Sequence, residues 1–266
     1  MSGPLVERVR VALAASRAAD GGFGPVPGAP SEPEASAMAA LALDDDGARA
    51  WLRRAQAADG GFLLGLDDAA TAMAALALGN GSAVDRALDY LLAHRAEVLA
   101  SDPHPNAVWG WAPHTYGWVD PTARAVLALR RLRPSATSAI EDGLVVLSDR
   151  ECAGGGWNYG NASVLDQALV PYVHPSAMAM IALHGRTEAI AARGRAWLDA
   201  HWSDELGGLS LACTLVARRL LGDPVDKVID ALDARFEASG LLGDTVTLAW
   251  ATIGLGDGID DVRVTP

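Results

Sequence analysis

Two cysteines, Cys152 and Cys213, are all that 266 residues contain, and no Cys-x-x-Cys spacing joins them. That is too few for a disulfide framework and fits a reducing, cytoplasmic setting. No unbroken apolar run reaches membrane-spanning length, so the positive mean hydropathy of +0.16 reflects alanine-rich core helices and no transmembrane segment is expected. The opening stretch MSGPLVERVRVALAAS lacks the long apolar segment of a signal peptide, because acidic and basic residues interrupt it. Aromatic residues make up only 6% of the chain, and no strand-like alternation stands out. Basic residues are outnumbered, and a net charge of −12 disfavours nucleic acid or an anionic membrane surface as a partner.

What the chain does have is repetition. SAMAALAL at 36–43 returns as TAMAALAL at 71–78, TARAVLAL at 122–129 and SAMAMIAL at 176–183, with looser copies TLVARRLL at 214–221 and TLAWATIG at 247–254. Each copy opens on Ser or Thr and continues in strong helix formers. Small residues on several faces indicate helices packed closely inside the molecule. Between the copies lie segments near 5–18, 47–57, 83–97, 136–149, 187–201 and 225–238, in which apolar residues recur three and four apart with charges between. Most outer–inner pairs meet at a glycine turn: DGGFG at 20–24, DGGFL at 59–63, GGGWN at 154–158 and LGGLS at 206–210. Twelve helices in six such pairs predict an all-α fold in one domain over 1–266. Because the six inner helices are nearly all apolar, an open array would leave some exposed, so a closed barrel is expected.

An outer helix, a Gly-rich aromatic turn and an inner [ST]AxAxxAL helix together resemble the prenyltransferase and squalene-oxidase repeat of triterpene cyclases and protein prenyltransferase β subunits. WLRRAQAADGGF (51–62) is similar to that family's QW repeat, with Trp51, Leu52, Gln56 and Gly60 in place and Phe62 at the usual tryptophan. The blocks WGWAPHTYGWVDPTARAVLAL and GGGWNYGN…PYVHPSAMAMIAL look like stand-alone bacterial members. The resemblance covers nearly the whole chain and implies an α/α toroid of six inner and six outer helices. It also implies an active site where the inner helices begin. Class II terpene cyclases carry DxDD before Thr-Ala, which sets Asp120 at the position of the proton-donating carboxyl, with Trp118 and Pro121 in place of the other two acids. Zinc-binding prenyltransferases place Asp and Cys two apart at a helix start; Thr122 stands where that Cys belongs. No DDxxD or NSE-like magnesium motif is present, and no cofactor is implied.

Two residues before each helical Ser or Thr, the copies carry Glu34, Ala69, Asp120, His174, Ala212 and Thr245. Asp120 and His174 are therefore candidates for a catalytic pair, the imidazole tuning the acid. The bland alternative makes Asp120 a helix cap and His174 a hydrogen-bonded core residue. Aromatic residues crowd the same end: Trp109, Trp111, Tyr116 and Trp118 in one loop, then Trp157, Tyr159 and Tyr172. Their ring faces suit a cation or a flat apolar ligand, and Trp109, Trp111, Tyr116, Trp118, Trp157 and Tyr172 are the candidate substrate-binding residues. The alternative is that they staple loops to the barrel, above all Trp157 after its glycine turn. Cys152, His114, Asp120 and His174 could ligate a metal but lack the close spacing of a zinc module. Acids (Asp20, Glu34, Asp59, Asp67, Asp68, Asp120, Asp244) gather at the turn end, whereas Arg130, Arg131, Arg133, Arg218 and Arg219 fall at the far ends of inner helices. An acidic mouth repels a diphosphate. The expected function is a terpenoid-cyclase-like or isomerase-like enzyme that protonates an apolar isoprenoid or polyene. The alternatives are a non-catalytic toroid that binds a hydrophobic ligand or peptide, and a zinc-dependent prenyltransferase-like or peptide-cyclase-like enzyme.

Overall fold

A computed structural model describes residues 4–62, 68–95, 108–112, 115–186 and 189–264. The fold is all-α, and twelve α-helices follow one another along the chain. The even-numbered ones hold the repeated motif: α2 (Pro33–Leu43), α4 (Asp68–Leu78), α6 (Val119–Leu132), α8 (Val173–Leu183), α10 (Gly208–Leu221) and α12 (Thr245–Leu255). The odd-numbered ones are the amphipathic set: α1 (Leu5–Ala14), α3 (Asp46–Ala55), α5 (Ser82–Ala93), α7 (Thr137–Asp149), α9 (Ala189–His201) and α11 (Asp226–Ser239). Every described residue of α4 and of α8 is buried, as an alanine-rich helix with no polar face requires.

Packing runs from α2 to α4, α6, α8, α10 and α12, and α12 packs back on α2. The first and last repeats also meet through Thr245, whose N–H donates to the Pro25 carbonyl (2.8 Å) and whose hydroxyl donates to that of Gly24 (2.6 Å). Arg8 of α1 pairs with Asp233 and Glu237 of α11. The pairing of layers differs from the sequence expectation in one respect. Each outer helix packs mainly on the inner helix before it, α3 on α2, α5 on α4 and so on to α11 on α10, with α1 on α12. The short inner-to-outer connections hold those two helices side by side, whereas the glycine turns lead across to the next inner helix.

Four turns are held by the Ser or Thr that opens the following motif. The Phe23 N–H donates to Ser36 Oγ (2.8 Å), Phe62 to Thr71 Oγ1 (3.1 Å) and Trp157 to Ser176 Oγ (2.8 Å). Thr122 reverses the direction and donates to the Trp109 carbonyl (3.2 Å). All four aromatics are fully buried. The two tryptophans reach further, Trp109 Nε1 donating to the Leu91 carbonyl on α5 and Trp157 Nε1 to that of Leu147 on α7. Each indole lies against a glycine of the next outer helix. A Cβ on Gly143 would stand 3.2 Å from Trp109 Cζ3, and one on Gly194 would stand 2.7 Å from Trp157 Cζ3. Only glycine leaves room there.

At the opposite end arginines close the inner helices. Arg49 Nε donates to the Ala77 carbonyl (2.9 Å), Arg219 to Gly254 (2.9 Å) and Gly256 (2.6 Å), and Arg130 to Ala182 and His184. Carbonyls at helix ends lack intrahelical donors, and a cation also complements the dipole there. The chain then turns through a 3-10 segment, Asp257–Asp261, against α12, α2 and α10, and the Val264 N–H donates to His184 Nε2 (2.7 Å). One further element was not expected. Ser163–Val164 (β1) and Gln167–Ala168 (β2) form a two-stranded antiparallel hairpin whose two-residue turn, Leu165–Asp166, holds φ of +48° and +60°. Asn-Gly is the usual signal for such a turn.

If the buried tryptophans are staples, Trp157→Ala should destabilise the protein by about 3–5 kcal/mol, the range for emptying a filled aromatic site. Urea unfolding followed by circular dichroism measures this; a loss below about 1 kcal/mol, the scale of ordinary surface changes, would refute the staple role.

Candidate functional site

The first turns of α2, α6 and α8 carry Glu34, Asp120 and His174 at equivalent positions. Asp120 on α6 is 1% exposed and Arg124, one turn on, is 4% exposed, so both charges are buried. Arg124 Nε donates to Asp120 Oδ1 (3.1 Å), and its Nη1 donates to Glu34 of α2. Helices α2 and α6 are separated by α4 in the packing order. The guanidinium therefore reaches across the interior and ties two non-adjacent helices. Burial works against its charge, but Asp120 and Glu34 outweigh that and hold Arg124 above the ordinary arginine range.

His174 of α8 occupies the repeat position equivalent to Asp120 and is also buried. Burial pulls its pKa down; Asp120 opposes this, Arg124 adds to it and Glu34 opposes it. Asp120 and His174 are thus electrostatic neighbours, but no hydrogen bond joins them. Asp120 Oδ2, His174 Nδ1 and His174 Nε2 are buried without a hydrogen-bond partner among the described residues. Cys213 of α10 is fully buried, and that burial pushes its thiol far up, so it is no nucleophile as it stands.

Above this cluster lies a cleft of about 350 Å³. Its aromatic wall is Tyr116, Trp118, Tyr159 and Tyr172, and its aliphatic rim is Val164, Leu169 and Val170. Trp118 is the residue that caps α6, and Tyr172 caps α8, so the helix starts that carry Asp120 and His174 also place the rings. Tyr159 joins the two levels. Its ring centroid is 5.9 Å from that of His174 and 6.0 Å from that of Tyr172. Burial first and Asp120 next push its phenol up, which keeps the hydroxyl protonated.

Of the six candidate binding residues, Tyr116, Trp118 and Tyr172 line the cleft. Trp109 and Trp157 lie fully buried in the core as turn staples, and Trp111 is 41% exposed outside the lining. The sequence reading missed Tyr159 as a lining ring and also missed Arg124. A signal for Arg124 was present: it interrupts TARAVLAL at the position held by Met38, Met73 and Met178 in the other close copies. The charge expectation needs correction too. The turn end carries buried arginines, Arg124 and Arg150, and is not solely acidic. Of the metal candidates, His114 lies outside the described residues, as does Asp67 of the turn-end acids. Among the described residues no group of three or more His, Cys, Asp or Glu side chains is placed to hold an ion, and the Cys152 sulfur faces Asn158 Nδ2 (3.5 Å). No helix among them is long and apolar enough to cross a membrane. Comparison of the chain with protein-family models and with curated proteins finds no match.

Removing Arg124 alone would leave Asp120 buried and uncompensated. Arg124→Met should therefore cost about 3–5 kcal/mol, while adding Asp120→Asn to it should return much of the loss. A double-mutant cycle in urea measures both; additive effects would mean that the pair is uncoupled. The histidines make a pH prediction. His174 and His184 are both held below their ordinary 6.5, chiefly by burial. The folded state then binds fewer protons than the unfolded state. Stability is fully present above about pH 6.5 and is lost progressively as pH falls below it. Melting temperatures between pH 7.5 and 5 should show that fall, reduced in His174→Asn; a flat profile in the parent protein contradicts it.

Proposed function

We propose that this protein is an α/α toroid of the prenyltransferase and squalene-oxidase repeat type that binds a flat apolar ligand, isoprenoid or polyene in kind, in the cleft over its inner-helix starts. The return of α12 to α2 and of α1 to α12 supports the closed arrangement. One observation carries the functional reading: four aromatic rings and three aliphatic side chains converge on one cleft at the end of the molecule where the buried polar cluster lies. Apolar walls with few polar groups behind them are the usual make-up of small-molecule sites, and about 350 Å³ is near the lower end of their size range. The volume suits a short isoprenoid body or one segment of a longer polyene.

Binding is the leading reading because Asp120 shares Arg124 with Glu34, an arrangement that serves a hydrogen-bond acceptor better than a proton donor. A second reading, a cyclase-like or isomerase-like enzyme with Asp120 as acid and His174 as its partner, is favoured by the buried unpartnered Oδ2 and the two unpartnered ring nitrogens. These atoms lie behind Tyr159, within reach of a ligand that displaces that ring.

A panel of short isoprenoid alcohols and polyenes, titrated by tryptophan fluorescence, tests the cleft. Trp118→Ala and Tyr159→Ala should each weaken binding by about 10-fold, the scale of a lost aromatic contact plus its buried area, and Trp111→Ala should change nothing. Equal affinities in all three variants would end the binding reading. Conversion of any panel member by the parent protein, reduced by about 100-fold or more in Asp120→Asn, would establish the second reading over the first.

A further inference from the structure

The far end of the inner helices, away from the cleft, is covered by the chain that follows α12. The 3-10 turn Asp257–Asp261 packs against α2, α10 and α12. Its apolar anchors are Ile259, 3% exposed, and Val262, which is fully buried. The segment is entered at Gly256, whose carbonyl accepts from Arg219, and it reaches Val264, whose N–H donates to His184. Asp260 and Asp261, between the anchors, are exposed. So short a segment, with alternate residues in water, is the kind of element that opens locally while the core stays folded.

His184 sets the terms of its closure. The ring lies directly after α8 and is 2% exposed, and both of its nitrogens are bonded. The Ile181 carbonyl has no proton to give, so Nδ1 carries the ring hydrogen and donates it to that carbonyl. Nε2 is then the bare acceptor that receives the Val264 N–H (2.7 Å). The two bonds together require one tautomer of the neutral ring. A proton on Nε2 would set one N–H against another and leave buried donors without an acceptor, a costly arrangement. The charges that face the ring would add to that cost. Arg130 of α6 donates to the His184 carbonyl (3.1 Å), and Arg263 precedes Val264 with its Nε on Asp260 (3.0 Å). Burial lowers the His184 pKa; the Ile181 carbonyl opposes this, and Arg130 and Arg263 lower it further.

We infer that residues 257–264 are an acid-released latch, held across the far end of the inner helices by neutral His184 and loosened when Nε2 takes a proton. The inference is independent of the cleft, which lies at the other end. Its sign follows from the two states. With the segment lifted, the ring meets water and regains an ordinary pKa of about 6.5; with it closed, the ring stays neutral to lower pH. Opening therefore takes up a proton, and it grows more frequent as pH falls below about 6.5, by at most about 10-fold per pH unit. Asp261 acts in the opposite direction: burial raises its pKa, so its protonation favours the closed segment and cannot produce the opening. Opening uncovers Ile259, Val262 and the parts of α2, α10 and α12 beneath them, so acid exposes apolar surface at this end.

Hydrogen exchange on the intact chain at pH 7.5 and 5.5, corrected for the intrinsic exchange rate, tests the latch. Amides over 257–264 should open up to about 10-fold more often at pH 5.5, while those of α4 stay protected far longer at both pH values. Nitrogen NMR at pH 7.5 should find the His184 hydrogen on Nδ1. His184→Gln should remove the pH dependence, because its amide can donate to Ile181 and accept from Val264 at every pH. Equal opening of the segment at both pH values in the parent protein overturns the latch, and so does a hydrogen on Nε2 at pH 7.5; neither result needs a variant to fold. Exchange of the segment and α4 at a common rate also overturns it, since the segment would then open only with the whole fold. A pH dependence that persists in a folded His184→Gln protein assigns the opening to another group and overturns it as well.

Discussion

The hydroxyl that opens four of the six inner-helix motifs is the contact on which the rest of the molecule depends. Ser36, Thr71, Thr122 and Ser176 each bond the backbone of a turn aromatic, and the aromatic then fills the space between layers. A helix start has N–H groups without intrahelical partners, so a Ser or Thr there ordinarily serves its own helix. Here the hydroxyl serves the preceding turn instead, and in doing so fixes how far each inner helix is inserted. Residues two positions before it are set to a common depth as a result. Asp120 and His174, from different helices, come to share one level and one electrostatic environment.

Alanine makes this arrangement possible and also limits it. Six inner helices can crowd together because their contact faces are small, but small side chains cannot fill the space they enclose. Arg124 fills part of it by reaching from α6 to Glu34 on α2, past an intervening helix. Its aliphatic stem replaces the methionine of the other copies, and its head supplies the polarity that Asp120 needs. Structural and chemical roles are hard to separate in such a residue: the same guanidinium braces the interior and sets the charge beneath the cleft.

The all-α repeat order was legible in the sequence, although α1 and α5 end about four residues before their expected bounds. The motifs read at 36–43, 71–78, 122–129, 176–183, 214–221 and 247–254 all lie within the even-numbered helices. Repetition made this possible, because six copies of one pattern average out the ambiguity of any single copy. The site was less legible, since side chains from distant repeats compose it. Nothing local in Trp109 or Trp157 separates a staple from a cleft ring; the difference lies in whether Gly143 or Gly194 stands opposite. The hairpin at Ser163–Ala168 was missed because its turn is Leu-Asp, which lacks the glycine of the usual two-residue hairpin signal. Arg124 announced itself only by interrupting a motif, and Arg150 not at all, since an arginine after a helix ordinarily faces solvent.

The seam between the two ends of the chain has a kinetic meaning. Thr245 and Gly24 are bonded across 221 positions, and α1 rests on α12. In a linear stack of repeats each unit needs only its neighbour, so terminal units fray independently and folding spreads from any nucleus. A chain whose last helix must find its first carries the entropy of closing nearly its whole length into one loop before those contacts reward it. Repeat architecture normally brings low contact order and gradual unfolding. The contacts between Thr245 and Gly24 and between α1 and α12 work against both, because they add long-range pairs and tie the terminal repeats to each other.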